Sequence, residues 1–158
     1  MIAGGGREMR RRERAIDRAR MDKILAEGIW GVLSMNGEDR FPYGVALNYV
    51  YTGDSIVFHC APEGEKLDRV RRDNRVSFCV VGKATVLPDQ FSTDYESVIV
   101  FGRANVVEGE EKLALLLALV DKYSPEYREK GRELALKKLP DLLCIRVVIE
   151  QITGKART

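Results

Sequence analysis

One stretch, residues 56–78, places most of this chain's candidate chemistry on two strands and the helix between them. Residues 56–60 are apolar and favour a β-strand, which Pro62 and Gly64 then break. Apolar residues at helical spacing follow, and a second apolar run over 76–81 favours another strand. The pattern therefore predicts strand, tight turn, helix, tight turn, strand.

The start of that helix, at residues 63–66, is a candidate anion site. The first N–H groups of a helix have no partner within it and attract anions. Gly64 allows close approach of a ligand, and Lys66 adds a positive charge. His59, the only histidine, lies a few residues upstream and can exchange protons near neutral pH. The alternative is a surface helix with an exposed Lys66 and a structural His59 in the wall of the sheet.

Size and charge exclude several classes of function. With 158 residues, 45% hydrophobic and 32% charged, the chain suits one globular domain with a real core. A net charge of +2 is too small to require a nucleic-acid partner. No apolar run approaches the roughly 20 residues of a membrane helix, and the N-terminus lacks a signal-peptide core. We therefore expect a cytoplasmic protein that binds no membrane, with residues 1–9 flexible and 10–158 forming one domain.

The three cysteines, Cys60, Cys79 and Cys144, are well separated and lie in predicted strands. An odd number of such cysteines is typical of reduced core residues in the cytoplasm. They provide no close pair of metal ligands, so no metal site is predicted. Cys60 follows His59 directly, but neighbours on a strand point to opposite faces, which argues against joint ligation.

Residues 7–27 carry seven arginines and predict an amphipathic helix that ends at Gly28. Such a helix could contact nucleic acid. Acidic residues are interleaved with the arginines and aromatic residues are absent, which favours a solvated face with internal ion pairs and no nucleic acid as partner.

The rest of the chain predicts a mainly β fold with flanking helices. Six strands are predicted, at 29–35, 43–51, 56–60, 76–81, 97–107 and 142–149. Two further helices are predicted at 110–123, with Leu113, Leu116, Leu117 and Val120 facing the core, and at about 126–138. Residues 83–94 are predicted to be an extended loop, and Gly102 a β-bulge. Hairpin connections and one crossover helix favour a small closed or half-closed β-barrel with helices packed outside.

Five sequence blocks in this order resemble a known family. They are 42–49 (PYGVALNY), 58–66 (FHCAPEGEK), 74–78 (NRVSF), 95–104 (YESVIVFGRA) and 152–155 (ITGK). Together they resemble the nitroimidazole-resistance-protein branch of the pyridoxamine-phosphate-oxidase-like, FMN-binding split-barrel family. The resemblance covers residues 9–156.

The resemblance implies a six-stranded split barrel that forms a homodimer, with FMN in a cleft at the subunit interface and a small-molecule substrate. It places one strand along the flavin ring, with the contacts Tyr43, Gly44, Val45, Ala46, Leu47 and Asn48. It places His59, Cys60 and Ala61 beside the ribityl chain and ring. Glu65 and Lys66 correspond to the phosphate site, and Ser97 to a polar contact with the flavin.

The chain departs from true pyridoxamine-phosphate oxidases at two places. Those enzymes resemble this chain at the helix but carry an Arg and a Lys on the second strand, where residues 44–49 have no positive charge. Their C-terminal Trp and Arg are also missing, since Trp30 is the only tryptophan. Vitamin B6 oxidation is therefore not expected. The phosphate would need help from Arg69 or Arg103, although Arg103 could equally pair with an acid across the sheet.

The leading interpretation is an FMN-dependent oxidoreductase that passes electrons to a small oxidised substrate, for example a nitro-aromatic compound. His59 would be catalytic, donating a proton to the substrate or orienting it. The alternative is a flavin- or haem-binding carrier or sensor without turnover.

Overall fold

The computed structural model describes residues 10–37 and 41–157, so the predicted flexible segment 1–9 lies outside the described residues. The strands in these ranges are β1 (Gly31–Met35), β2 (Tyr43–Leu47), β3 (Val50–Tyr51), β4 (Ser55–Cys60), β5 (Arg75–Leu87), β6 (Ser92–Val107) and β7 (Leu143–Arg157). The helices are α1 (Arg18–Glu27), α2 (Glu65–Arg72), α3 (Glu110–Tyr123) and α4 (Arg128–Lys138). Short 3₁₀ turns lie at Arg12–Arg14, Pro88–Gln90, Pro125–Tyr127 and Leu139–Asp141.

The strands form one antiparallel sheet in the order β2–β1–β5–β6–β7–β4–β3. Strands β2 and β3 are consecutive in the chain but lie at opposite ends of this order. Only Asn48 and Tyr49 separate them, and such a link spans roughly 10 Å at most. The sheet must therefore curl until its two edges meet. This is the predicted split barrel, a barrel joined at the seam by the chain rather than by a ladder of hydrogen bonds.

The predicted number of strands, six, was wrong. The predicted strand 43–51 is divided into β2 and β3, because the backbone at Tyr49 leaves the sheet. Its N–H donates to the hydroxyl oxygen of Tyr123 on α3, at 2.8 Å. The hairpin between β3 and β4 is confirmed, with Tyr51 paired to Ile56.

The predicted loop 83–94 was also wrong, because β5 and β6 continue past it as one long hairpin. Their pairing extends from Ala84 with Tyr95 to Leu87 with Ser92. Most side chains of this extension contact solvent, so they lack the alternating burial that identifies a strand from sequence. The bulge at Gly102 is confirmed by a register shift against β7. A Cβ at Gly102 would lie 2.1 Å from the carbonyl oxygen of Val148, so a larger residue does not fit there.

Helix α1 starts later than predicted, at Arg18 rather than near residue 7. Asp17 caps it, because its carboxylate accepts a hydrogen bond from the Arg20 N–H at 2.8 Å. Arg18 pairs with Asp22 at 2.7 Å, and Arg20 pairs with Glu96 on β6 at 3.1 Å. The Arg18–Asp22 pair agrees with the interpretation of this segment as an internally paired face, whereas the Arg20–Glu96 pair joins the helix to the sheet.

Strand β4 is buried on both faces and separates two apolar clusters. Phe58 faces the barrel interior, which also contains Tyr49 and Phe78. Val57 faces the other way, against the inner face of α3. That helix has the predicted bounds, but its most buried leucines are Leu115, Leu116 and Leu119; the predicted residues Leu113, Leu117 and Val120 are only partly buried. In the described ranges, no helix is both long and apolar enough to cross a membrane.

Candidate functional site

A small cleft lies where β4 ends and α2 begins. Gly64 caps the helix with φ 123°, a left-handed conformation that glycine adopts readily. No side chain caps the helix, so the N–H groups of Glu65 and Lys66 have no partner in the described residues, whereas the Leu67 N–H donates to the carbonyl oxygen of Gly64 at 2.9 Å. The cleft has a volume of about 200 Å³ and is lined by Tyr43, Cys60, Ala61, Lys66 and the residues of the turn. The structure thus brings together the predicted anion site and five predicted cofactor contacts: Tyr43, Cys60, Ala61, Glu65 and Lys66.

The charged side chains of α2 near this cleft differ in whether they are already paired with other groups of the chain. The Glu65 carboxylate accepts a hydrogen bond from Arg69 Nε at 2.6 Å. Arg69 also donates to the carbonyl oxygens of Asn36 and Phe41, each at 3.1 Å, so it fixes α2 to the segment between β1 and β2. Arg69 is therefore already engaged, whereas Lys66 has no ion pair within the described part of the chain. The ammonium nitrogen of Lys66 lies 5.6 Å from the centre of the Phe58 ring.

Strand β2 adjoins the cleft and forms one edge of the sheet. Its side chains alternate: Tyr43, Val45 and Leu47 pack against the barrel core, whereas Gly44 and Ala46 are exposed on the outer face. The strand pairs only with β1 among the described strands. Its other edge therefore presents unpaired backbone N–H and C=O groups beside very small side chains.

His59 and Cys60 point to opposite faces of β4, as predicted. Cys60 is 8% exposed and lines the cleft, whereas the more exposed His59 faces away from it. Burial, and secondarily the charge of Lys66, hold the pKa of His59 below its ordinary value. The imidazole forms no side-chain hydrogen bond within the described residues. These residues therefore provide no partner for a structural His59 that is hydrogen-bonded in the barrel wall.

His59 faces a second and larger space, the α3–α4 cavity, of about 570 Å³. Its apolar wall comes from α3, α4 and the start of the last strand: Leu116, Leu119, Val120, Leu134, Ala135 and Leu142. Its polar groups include Asn48, Tyr123, Tyr127, Lys130 and Lys138. The two predicted cofactor contacts His59 and Asn48 therefore lie at this cavity and not at the cleft.

Ser97 does not lie in the cleft. It is on β6, where it pairs with Val81 and with Lys155, beyond the last β1–β5 pair at Val32. Tyr43, at the cleft, pairs with the opposite end of β1. Arg103 does not reach the cleft either, because it donates to Glu150 on β7 at 2.7 Å. The alternative of an acid across the sheet is the one observed for Arg103.

Sequence reasoning missed two residues beside the seam, Tyr123 and Lys122. The Tyr123 hydroxyl lies 2.7 Å from the carbonyl oxygen of Ile29 and 2.8 Å from that of Tyr49. The Lys122 ammonium is buried without a hydrogen-bond partner among the described residues, 4.1 Å from the centre of the Tyr49 ring, and burial lowers its pKa to about 8. Their position at the last turn of a leucine-rich helix gives no signal of these contacts.

The cysteines are free, and the described residues contain no cluster of three metal-ligating side chains. Burial raises the pKa of the Cys60 thiol, and it raises that of Cys144 to about 11. Both thiols are therefore poor nucleophiles at neutral pH.

The family model for pyridoxamine 5'-phosphate oxidase matches residues 17–156. The chain belongs to this family. The match includes α2, all seven strands and both sides of the seam. A search of curated proteins finds no sequence match.

Several solved structures share this fold at low sequence identity. A proposed 5-nitroimidazole antibiotic resistance protein from Bacteroides thetaiotaomicron is 23% identical, with 90% of this chain and 86% of that chain covered and a TM-score of 0.73. The FAD and heme binding protein from Mycobacterium smegmatis is 20% identical, with 89% and 71% covered and a TM-score of 0.77. A flavocytochrome from Azotobacter vinelandii is 20% identical, with 95% and 72% covered and a TM-score of 0.79.

Proposed function

We propose that this family member binds FMN and uses it to reduce a small oxidised substrate such as a nitro-aromatic compound. The observation that carries the proposal is the cleft at the start of α2. Gly64 leaves room for a ligand, the N–H groups of Glu65 and Lys66 have no partner among the described residues, and Lys66 supplies a positive charge that has no ion pair there. A phosphate monoester fits this chemistry.

The remaining parts of FMN fit the surface next to the cleft. At about 200 Å³ the cleft accommodates the phosphate and not the ring system. The outer face of β2 offers a flat area at Gly44 and Ala46, and its free backbone edge can hydrogen-bond to the polar edge of a flavin. Cys60 and Ala61 lie between these two places. When bound, FMN would supply the hydride and electron transfer, and the chain's own residues would hold and orient it.

His59 is the proposed proton donor. Burial lowers the pKa of His59, so its protonated imidazole is a stronger acid than an unperturbed one, and proton donation from it should increase as the pH falls. Because it faces the α3–α4 cavity and not the cleft, its partner in this proposal is the substrate and not the phosphate of the cofactor.

We propose that a second copy of the chain covers the outer face of the sheet. Apolar side chains are exposed there: Trp30, directly before β1, is 55% exposed, and Val81 on β5 and Ile99 and Phe101 on β6 are 56%, 37% and 42% exposed. Contiguous exposed apolar surface is typical of an interaction site. Ser97 lies on this same face, so it would contact a flavin bound mainly by the partner subunit, which accounts for its distance from the cleft of its own chain.

A second candidate function is flavin or haem binding without turnover. It is favoured by the imidazole of His59, which has no hydrogen-bond partner among the described residues and faces an apolar cavity. A histidine in such surroundings is a common axial ligand of haem iron.

The visible spectrum of the purified protein separates these functions first, since oxidised flavin and haem absorb differently. The protein is then titrated with FMN, reduced with NADH or NADPH under anaerobic conditions, and mixed with a nitro-aromatic acceptor. The proposal expects FMN binding, reduction, and reoxidation by the acceptor. FMN binding without either reaction would favour the non-catalytic binder, and no FMN binding would refute both flavin functions.

A further inference from the structure

The α3–α4 cavity has the size of a ligand site, and it is distinct from the cleft at Lys66. Its volume of about 570 Å³ lies within the roughly 300–1,000 Å³ of small-molecule pockets. No residue that lines the cleft also lines the cavity. Large apolar side chains remain uncovered at its wall, since Leu134 is 57% exposed and Tyr127 is 64% exposed.

The wall combines aromatic rings with apolar side chains. His59, Tyr123 and Tyr127 contribute three flat rings, and leucines of α3 and α4 contribute the rest of the apolar surface. Flat rings pack favourably against other aromatic rings, in stacked or edge-to-face geometry. This lining therefore favours an aromatic ligand over a flexible polar one.

The charged side chains that line the cavity are all positive among the described residues. Lys130 and Lys138 both line the cavity, and no acidic side chain of the described residues does so. Neither lysine has an ion-pair partner within the described ranges. Both lysines therefore remain available to neutralise an anionic group.

From these observations we propose that the α3–α4 cavity binds a small aromatic acid, whose ring enters the apolar wall and whose anionic group pairs with Lys130 and Lys138. A second copy of this chain is a poorer occupant. A two-fold contact with its axis at the cavity would bring the unpaired lysines close to their own symmetry mates, which is unfavourable. The assignment concerns the cavity alone and does not depend on FMN binding.

The probes are 2-naphthoate and 2-naphthalenemethanol, which share a ring system and differ in charge. Isothermal titration of the full chain should show naphthoate binding about tenfold more tightly than the neutral alcohol. The double variant Lys130→Gln/Lys138→Gln should weaken naphthoate binding by about tenfold, the sum of two partly exposed ion pairs, and leave the alcohol unchanged. Lys137→Gln is the matched control, because Lys137 is on the same helix and does not line the cavity.

A second pair of variants tests the location. Leu134→Glu places a negative charge at the cavity wall and should abolish detectable naphthoate binding. Leu136→Glu, equally on α4 but outside the cavity, should not change it. Equal affinity for both probes, or equal effects of the two glutamates, would overturn the proposal. Competition by FMN, or weakening by Lys66→Ala, would place naphthoate in the cleft and would also overturn it.

Discussion

The backbone N–H of Tyr49 donates a hydrogen bond to the hydroxyl oxygen of Tyr123, at 2.8 Å. Tyr49 lies in the two-residue link where the opposite edges of the sheet meet. Its N–H therefore bonds to a side chain of α3 and not to a neighbouring strand. The one hydrogen of the same hydroxyl lies within reach of the carbonyl oxygens of both Ile29 and Tyr49. One side chain of α3 thus accepts from and donates to backbone groups at the seam.

Replacing Tyr123 by Phe should destabilise the protein by about 1–3 kcal/mol, because the Tyr49 N–H stays buried and loses its partner. Urea unfolding followed by circular dichroism measures this as a lower midpoint with an unchanged slope. Tyr127→Phe is the control: Tyr127 is 64% exposed, and its variant should stay within roughly 0.5 kcal/mol of the wild type. Equal stability of the two variants would show that the Tyr123 hydroxyl does not hold the seam.

Lys122 makes stability depend on pH above neutrality. Burial lowers its pKa to about 8 in the folded protein, from 10.5 in an unperturbed lysine. Between these two values the unfolded chain binds more protons than the folded one, so stability should rise as the pH increases from about 8 to 10.5.

Lys122→Met should lack this rise and should be more stable at pH 7 by on the order of 1–2 kcal/mol, after allowance for partial solvent contact. The measurement is the difference in unfolding free energy between wild type and variant at several pH values, which cancels other titrating groups. Lys23→Met, at an exposed lysine on α1, is the control. A constant difference from pH 7 to 10.5 would contradict the assignment.

The sequence alone predicted the strands and helices in which buried and exposed residues follow a regular pattern. The opposite orientation of His59 and Cys60 followed from strand parity, and the bounds of α3 followed from its leucines. The seam could not be predicted in this way. Whether β2 and β3 are one strand or two depends on Tyr123, a residue more than seventy positions away, and local pattern contains no information about that contact.

For the same reason, the sequence predicted one part of the candidate site, the cleft, and did not predict the α3–α4 cavity. The cleft at Gly64 and Lys66 is local, since a turn and the helix that follows it create the anion site. The α3–α4 cavity joins β4 to two helices far along the chain, so no single segment indicates it. The place of Ser97 depends on how strands pair, which follows from register and not from composition.

The proposed dimer should dissociate when a charge is placed on the outer face of the sheet. Phe101→Glu puts a carboxylate on an apolar surface that the second copy would bury, which is costly without a partner. Sedimentation at micromolar concentration should show a dimer for the wild type and a monomer for this variant. Leu136→Glu, on α4, should remain dimeric. A monomeric wild type would refute the proposed interface.

Lys66→Ala should weaken FMN binding without unfolding the protein. A charge-assisted bond to phosphate contributes roughly 1.5–3 kcal/mol, so the dissociation constant should rise about tenfold to hundredfold. Riboflavin, which has no phosphate, should bind wild type and variant almost equally. The control is Arg71→Ala, an exposed cation of the same helix that does not line the cleft. An equal loss for both flavins would show that Lys66 does not contact the phosphate.

His59 should titrate below its ordinary pKa, and Lys66 should be one cause. The chain has one histidine, so a single imidazole resonance reports the pKa by NMR. We expect a value below 6.5 for the wild type and a higher one for Lys66→Gln, because the charge of Lys66 is the secondary cause of the shift after burial. The pKa of His59 is lower in the folded protein than in the unfolded chain. The free energy of unfolding should therefore decrease as the pH falls below 6.5.

The catalytic role of His59 is decided by two variants. His59→Ala should retain FMN and fold normally, because the side chain is only partly buried and makes no side-chain hydrogen bond in the described residues. Reduction of the flavin should survive, whereas its oxidation by a nitro-aromatic acceptor should slow by about 10²–10⁴, the usual effect of losing a general acid. His59→Gln keeps a hydrogen-bond donor but cannot titrate, so it should restore substrate positioning without the pH dependence. If His59→Ala instead loses stability or FMN and His59→Gln restores both, the residue is structural and the proposed proton transfer is wrong.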